Sequence, residues 1–431
     1  MSPSSSPPES FAVIGGEGFL GAALISALHE RHSVTQVASF GLTQRHFTPS
    51  GYRFFRTNIT SLSSLTDSLR ASGATTVFHT ASPHASASPE LWEKVNVEGT
   101  KLVVQACKEA GVKKLVFTSS MTVVYEEGVP LKNVDERIPM IETEGEATYA
   151  GTKAKAEQIV LAANGQDGLL TCALRLGGII GPGDRQVLPG FIGVYNAGQS
   201  AFQMGDNLNL FDFVTVKNVV HAHLLAAVRL DAPPISPSLL ETRIPPVSVT
   251  VPRRTLPSSR HPDVVHPTSP PPIEDPLLPA GRNRFNQFYD ASSPNSPSSS
   301  PLTVAGQAFF ITNGEPVNFW SFARMVYHVY SGKPQRWWDP LVFPGSVGML
   351  FATLAEWAGA LQGKKPIECG VNRAYMQYVL KDMYFDIERA RRILGYEPIE
   401  SLEDGIRSGV EWYKADEERQ RKKAAEGPKE R

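Results

Sequence analysis

Cysteine is scarce: Cys107, Cys172 and Cys369 are the three in 431 residues, scattered and odd in number. That pattern supports neither a disulfide framework nor a zinc cluster, and it fits a reducing compartment. An excess of charge of one sign is also missing. The formal net charge is −1, so bulk electrostatics gives no reason to expect nucleic acid. The opening MSPSSSPPES lacks the apolar core of a signal peptide, and residues 1–10 read as a disordered leader. No metal-ligand cluster is visible, and no metal site is expected.

What is present is alternation. Short apolar runs (FAVIGG, SVTQVASF, TTVFHTAS, KKLVFTSS) are separated by helical patterns such as FLGAALISALHE and VNVEGTKLVVQACKEAG. Near-continuous apolar strands belong to parallel sheets covered on both faces. The expected class is therefore α/β, a Rossmann-type doubly wound parallel sheet over residues 11–230, with a smaller C-terminal substrate-binding region over 304–415. Gly111 is a helix stop. Between the two parts, residues 231–303 hold about half of the 34 prolines. Such a stretch buries too little apolar surface to offset its ordering entropy. It reads as a disordered insertion, either a spacer or a segment that binds a partner or is phosphorylated. Residues 416–431 form a charged tail. Residues 341–361 are long and apolar, with one charge, Glu356. Three readings stand for them: a core or pocket helix, a helix dipping into one leaflet, or a span.

The loop VIGGEGFLG follows the first strand and opens the first helix. Gly15 suits the tight turn, Gly18 lets the backbone approach a pyrophosphate, and Gly21 allows close helix–sheet packing, with Phe19 and Leu20 in the same turn. This context predicts a bound dinucleotide, NAD or NADP. Ligands of such sheets lie beyond the carboxyl ends of the strands. That places Asn58 and Ile59 (third strand), Ala81 and Ser82 (fourth), and Ser119 and Ser120 (fifth) in the crevice. The second strand ends in Ser39, Phe40 and Gly41, with no acid to accept from the ribose hydroxyls. Ser39 and Arg45 could instead contact a 2′-phosphate, so NADP is expected to serve at least as well as NAD.

ATYAGTKAKAE, residues 147–157, puts Tyr149 and Lys153 four apart on one helix face. After a serine pair at the crevice mouth, they read as a proton-transfer device. A phenol with a reference pKa near 10 is expected to be lowered by a neighbouring ammonium and by the charge of an oxidised nicotinamide. It would then take the proton of an alcohol while a serine hydroxyl positions the oxygen.

GGEGFLG, VFHTASP, VNVEGT, TSS, YAGTK and RLGGIIGPGD resemble the extended short-chain dehydrogenases. LFDFVTVKNVVHAHLLAA and AGQAFFITNGEPVNFWSFA narrow the resemblance to the 3β-hydroxysteroid dehydrogenase/isomerase family, in its sterol-4α-carboxylate 3-dehydrogenase (decarboxylating) branch. The resemblance implies Tyr149 as proton acceptor, Lys153 as ribose ligand, and Ser120 as the catalytic serine with Ser119 as fallback. It implies cofactor roles for Asn96 and Ile179. It also implies oxidation of the 3β-hydroxyl of a 4α-carboxysterol with loss of CO2 in sterol C4 demethylation. Placement on the cytosolic face of the endoplasmic reticulum membrane follows from it, with other C4-demethylation enzymes as possible partners and a possible homodimer. Leu176 stands where the family usually has proline. Rival readings are another 3β-hydroxysteroid dehydrogenase or isomerase, a ketone reductase of secondary metabolism, or a dinucleotide sensor without catalysis.

Overall fold

The computed structural model describes residues 9–30, 34–45, 52–84, 86–141, 147–235, 302–333, 340–363 and 372–425. Most of the proposed insertion, residues 1–8 of the expected leader, the end of the tail and Cys369 lie outside the described residues; Glu9 and Ser10, expected in the leader, instead begin the first strand.

Seven parallel strands form the central sheet: β1 (Glu9–Ile14), β2 (Val34–Gly41), β3 (Tyr52–Arg56), β4 (Thr76–His79), β5 (Lys114–Ser120), β6 (Leu170–Leu176) and β7 (Ala308–Ile311). Their order is β7-β6-β5-β4-β1-β2-β3. The order reverses beside β1, and a crevice for ligand opens where successive crossovers leave in opposite directions. Side-chain alternation divides the core. Phe11 and Val13 face a layer containing Leu20 and Leu24 of α1 (Phe19–His29) and Val219 and Val220 of α5 (Val216–Arg229). Ala12 and Ile14 face the other layer. It is built from α2 (Leu62–Ser72), α3 (Gly99–Ala110) and α4 (Tyr149–Ala162). Burying both faces is what makes the strand sequences apolar without a break. Helix α3 ends as expected at Gly111, in the left-handed conformation at φ 72°, with the Val112 N–H closing onto the Cys107 carbonyl at 2.9 Å.

Two boundaries differ from the sequence reading. β3 stops at Arg56, short of the expected Asn58 and Ile59. There Thr57 N–H still bonds the Gly41 carbonyl (3.0 Å), but Asn58 turns back to accept from Thr60 N–H (3.0 Å). The sheet also does not end with the first 230 residues. β7, the fully buried run AFFI, pairs in parallel with β6 from Ala308↔Ala173 to Ile311↔Leu176, so the C-terminal part supplies an edge strand to the dinucleotide fold. The chain leaves and re-enters at one place, since Ile235 N–H donates to the Leu302 carbonyl at 3.1 Å.

Beyond the strand ends, a four-stranded sheet joins Leu131–Val134, Met383–Phe385, Leu210–Phe211 and Val317–Asn318. The apolar run becomes a strand, Leu341–Phe343, and a helix, Gly345–Leu361, packed against the helix Arg373–Leu380. This is not a core helix. Only Gly348, Ala352 and Gly359 of it are buried, while Leu350, Phe351, Leu354, Trp357 and Leu361 are 53–91% exposed. Among the described residues no helix is long and apolar enough to cross a membrane, which removes the spanning reading.

Candidate active site

The glycine loop has the shape a pyrophosphate needs. Gly15 has φ 87°, and a Cβ there would lie 2.8 Å from the backbone of Ala81, while one on Gly21 would lie 2.2 Å from the Gly15 carbonyl oxygen. Only glycine fits at either position. The first turn of α1 therefore presents its N–H groups and positive dipole end to the crevice. Leu20 points into the core, so what it offers a ligand is backbone. Phe19 packs over Gly183, in the turn beyond β6. Ala81 borders the loop, and Ile59 lies against Gly99. Ile179 sits in the short strand Gly178–Ile180, paired with Val214. The tight glycine turn running into the N-terminus of α1 fits a dinucleotide.

Tyr149 opens α4. The Thr148 hydroxyl caps the helix by accepting from Gly151 N–H at 3.0 Å. The phenol lies by the side chains of Ser120 and Ser82, whose hydroxyls favour its ionised form, and its ring meets Trp92 edge-on at 6.2 Å. Behind it a polar chain fixes the geometry. Ser82 donates to Asn96 Oδ1 (3.0 Å), Asn96 Nδ2 donates to Thr152 Oγ1 (3.1 Å), and Thr152 donates to the Tyr149 carbonyl (3.0 Å). Asn96 reaches inward from a helical stretch, 93–98, wound more widely than an α-helix, a local geometry often found at functional sites.

The two serines that end β5 separate. Ser119 donates to Glu157 Oε2 at 2.5 Å, and Glu157 also receives Arg175 through two nitrogens (3.1 and 2.8 Å). Ser119 is thus part of a buried ion-pair cluster, and Ser120 is the serine at the phenol. Lys153, one turn after Tyr149 and 3% exposed, donates to the Thr118 carbonyl at 2.5 Å and lies 4.4 Å from the centre of the Phe117 ring.

The charge states differ from the expectation drawn from the Tyr–Lys spacing. Burial raises the Tyr149 phenol above its ordinary value, with the nearby Ser120 and Ser82 hydroxyls opposing it. Burial also pushes Lys153 down to about 7, against the pull of Glu157. Desolvation is the largest cause for both groups. His79, bonded to Thr100 (3.0 Å), is pushed down to about 3, first by burial and then by Lys153. It stays a neutral ring and is no proton carrier near neutrality.

Of the residues expected from the sequence, the structure brings Tyr149, Ser120, Ser82 and Asn96 together, with Lys153 one turn further along α4. Sequence reasoning missed the Thr118 carbonyl, which any residue could supply and no residue type signals. It also missed Glu157, whose signal was its i+4 spacing from Lys153.

The family model for the 3-beta hydroxysteroid dehydrogenase/isomerase family matches residues 12–242. The chain belongs to this family. Among similar proteins, sterol-4-alpha-carboxylate 3-dehydrogenase, decarboxylating, of Schizosaccharomyces pombe is 34% identical over 94% of this chain and 98% of its own length. The Saccharomyces cerevisiae enzyme of the same name is 32% identical (94% and 97%), and the human one 30% (93% and 87%). In fold the chain resembles a UDP-glucose 4-epimerase from Thermotoga maritima (TM-score 0.58, 18% identity, 94% and 99% covered). It also resembles one from Thermus thermophilus solved with NAD (TM-score 0.57, 19% identity, 94% and 98%). As a family member the protein is a nicotinamide-dependent dehydrogenase, and the Tyr149 cluster lies where strand ends and α4 meet.

Proposed function

We propose that the protein oxidises the 3β-hydroxyl of a 4α-carboxysterol to the 3-ketone with loss of CO2. The observation that carries this is the Tyr149 phenol beside Ser120 and Ser82, one turn before a buried Lys153, in a chain similar over nearly all its length to enzymes named for that reaction.

Bound NAD(P)+ would supply the hydride acceptor. The chain's residues do the rest. Ser120 and Ser82 orient the substrate oxygen beside Tyr149, and Tyr149 as phenolate takes the hydroxyl proton as the C3–H bond gives up its hydride. Lys153, as ammonium, favours that phenolate. The product is a β-keto acid. Its C4–carboxylate bond breaks with the electron pair flowing into the C3 carbonyl, and the enolate takes up a proton at C4. This second step asks for no additional catalytic group. The test is incubation of the purified protein with a 4α-carboxysterol and each oxidised cofactor. Formation of the 3-ketone one carbon shorter, with CO2, is expected; oxidation of a 3β-hydroxysteroid lacking the carboxylate but not of the carboxysterol would refute the reading.

We further propose that the exposed apolar stripe of Leu350, Leu354, Trp357 and Leu361 rests on a membrane surface, which is where a sterol resides. The residues are three or four apart on one helix face, with Phe351 beside them. Glu356 is drawn aside by Arg373 at 2.7 Å.

A further inference from the structure

The end of β2 lacks an acid in the sequence, but not a carboxylate in space. Glu17 stands inside the glycine loop and is 7% exposed. Its Oε1 accepts from the Ser39 hydroxyl at 2.8 Å and from the Tyr52 hydroxyl, and its Oε2 accepts from the Arg45 N–H at 2.7 Å. Ser39 lies near the end of β2, in register with Val13 of β1 and Phe54 of β3. The Glu17 methylenes cover Gly41, where an added Cβ would meet Cγ at 3.4 Å. Gly41 leaves that space open, and Glu17 fills it from the neighbouring loop. Gly16 in turn leaves room for the Ser39 hydroxyl, since a Cβ on Gly16 would lie 2.3 Å from Ser39 Oγ.

We propose that Glu17 is the cofactor-selecting residue of this enzyme. Its carboxylate, carried on the glycine loop, takes the place of the missing β2 acid, accepts from the adenosine ribose hydroxyls, and excludes the 2′-phosphate of NADP. The chemistry is that of an acid at a strand end: it is complementary to a diol and opposes a dianionic phosphate. Three donors from β2, β3 and the loop after β2 hold it in place, so it is not a side chain that can swing away. The same geometry reverses the expectation raised by Ser39 and Arg45. Ser39 gives its proton to Glu17, and the Arg45 backbone is tied to the same carboxylate. A phosphate drawn to the Arg45 guanidinium would have to settle beside a buried negative charge.

The experiment is a fluorescence titration of the purified full-length chain with NADH and with NADPH, which needs no sterol and so is independent of the substrate reading. NADH is expected to bind at least about a hundredfold more tightly, as like-charge juxtaposition suppresses the wrong partner. Glu17→Gln keeps the shape and removes the charge. It should narrow the preference by at least about tenfold, mainly by tightening NADPH. Arg45→Ala should leave the ratio unchanged, and it tests the assignment even if the Glu17 variant folds poorly. Equal wild-type affinities, an unmoved ratio in folded Glu17→Gln, or a selective loss of NADPH binding in Arg45→Ala would each overturn the proposal.

Discussion

Replacing Lys153 by methionine should abolish turnover and yet make the protein without cofactor more stable. Lys153 is 3% exposed and its ammonium is held down to about 7, chiefly by burial. A lysine titrates near 10.4 in an unfolded chain, so a displacement of this size corresponds to a cost of at most about 5 kcal/mol. The Thr118 hydrogen bond and the Phe117 ring contact would be lost with the ammonium, offsetting about 2 kcal/mol. Methionine fills a similar volume without a charge to desolvate, and Glu157 keeps Arg175 and Ser119. A net gain of about 1–3 kcal/mol near pH 7 is expected. The pH dependence is the decisive part. A folded pKa below the unfolded one means that the cost is fully present below about pH 7 and fades as pH rises toward the unfolded value. The variant's advantage should therefore shrink by about 3 kcal/mol between pH 7 and about pH 9.5. Denaturant unfolding of both proteins at the two pH values measures it. A methionine variant that is less stable than wild type by a pH-independent amount would show that the ammonium is not held at a cost.

Tyr149→Phe should lower turnover by at least about 10²–10⁴-fold while leaving NADH binding, read by fluorescence titration, close to wild type. Ser120→Ala should lower kcat by about tenfold or more. Ser119→Ala should instead leave kcat near wild type and cost about 1–2 kcal/mol of stability, because its partner is the buried Glu157; the reverse pattern would exchange the two roles. Replacing residues 236–301 with a short flexible linker should preserve soluble, active protein, since Ile235 and Leu302 already touch and closure cost changes slowly with loop length. Serine at Leu350, Leu354 and Trp357 together should release the protein from sterol-containing vesicles in a flotation assay without changing NADH binding. Flotation equal to wild type would count against the membrane-facing helix.

What could be read from the sequence and what could not differ in the range of the interactions involved. Gly15, Gly18 and Gly21, and the Tyr149–Lys153 spacing, are local. A tight turn needs its glycines in order, and a helix face needs residues four apart, so both survive translation into one dimension. The strand at Ala308–Ile311 does not. Its apolar run is plain, but its pairing with β6 spans over a hundred residues, and nothing local distinguishes a sheet edge from a strand in a second domain. The serine pair is legible only in part: Ser120 is expected at the phenol with Ser119 as fallback, but neighbouring strand residues face opposite ways, and the partner that takes Ser119 aside, Glu157 with Arg175, is not local to the pair. Charge states follow burial, which spacing does not reveal; hence a lysine expected to lower its tyrosine is itself lowered. On the reading proposed above, Glu17 is a further case. A ribose-binding acid is expected at the end of β2, because a strand end is where the chain usually supplies one. Chemistry requires only that a carboxylate reach that point in space, and the loop beside it can deliver one. An acidic residue between two glycines, in a turn built for close approach, was the signal available.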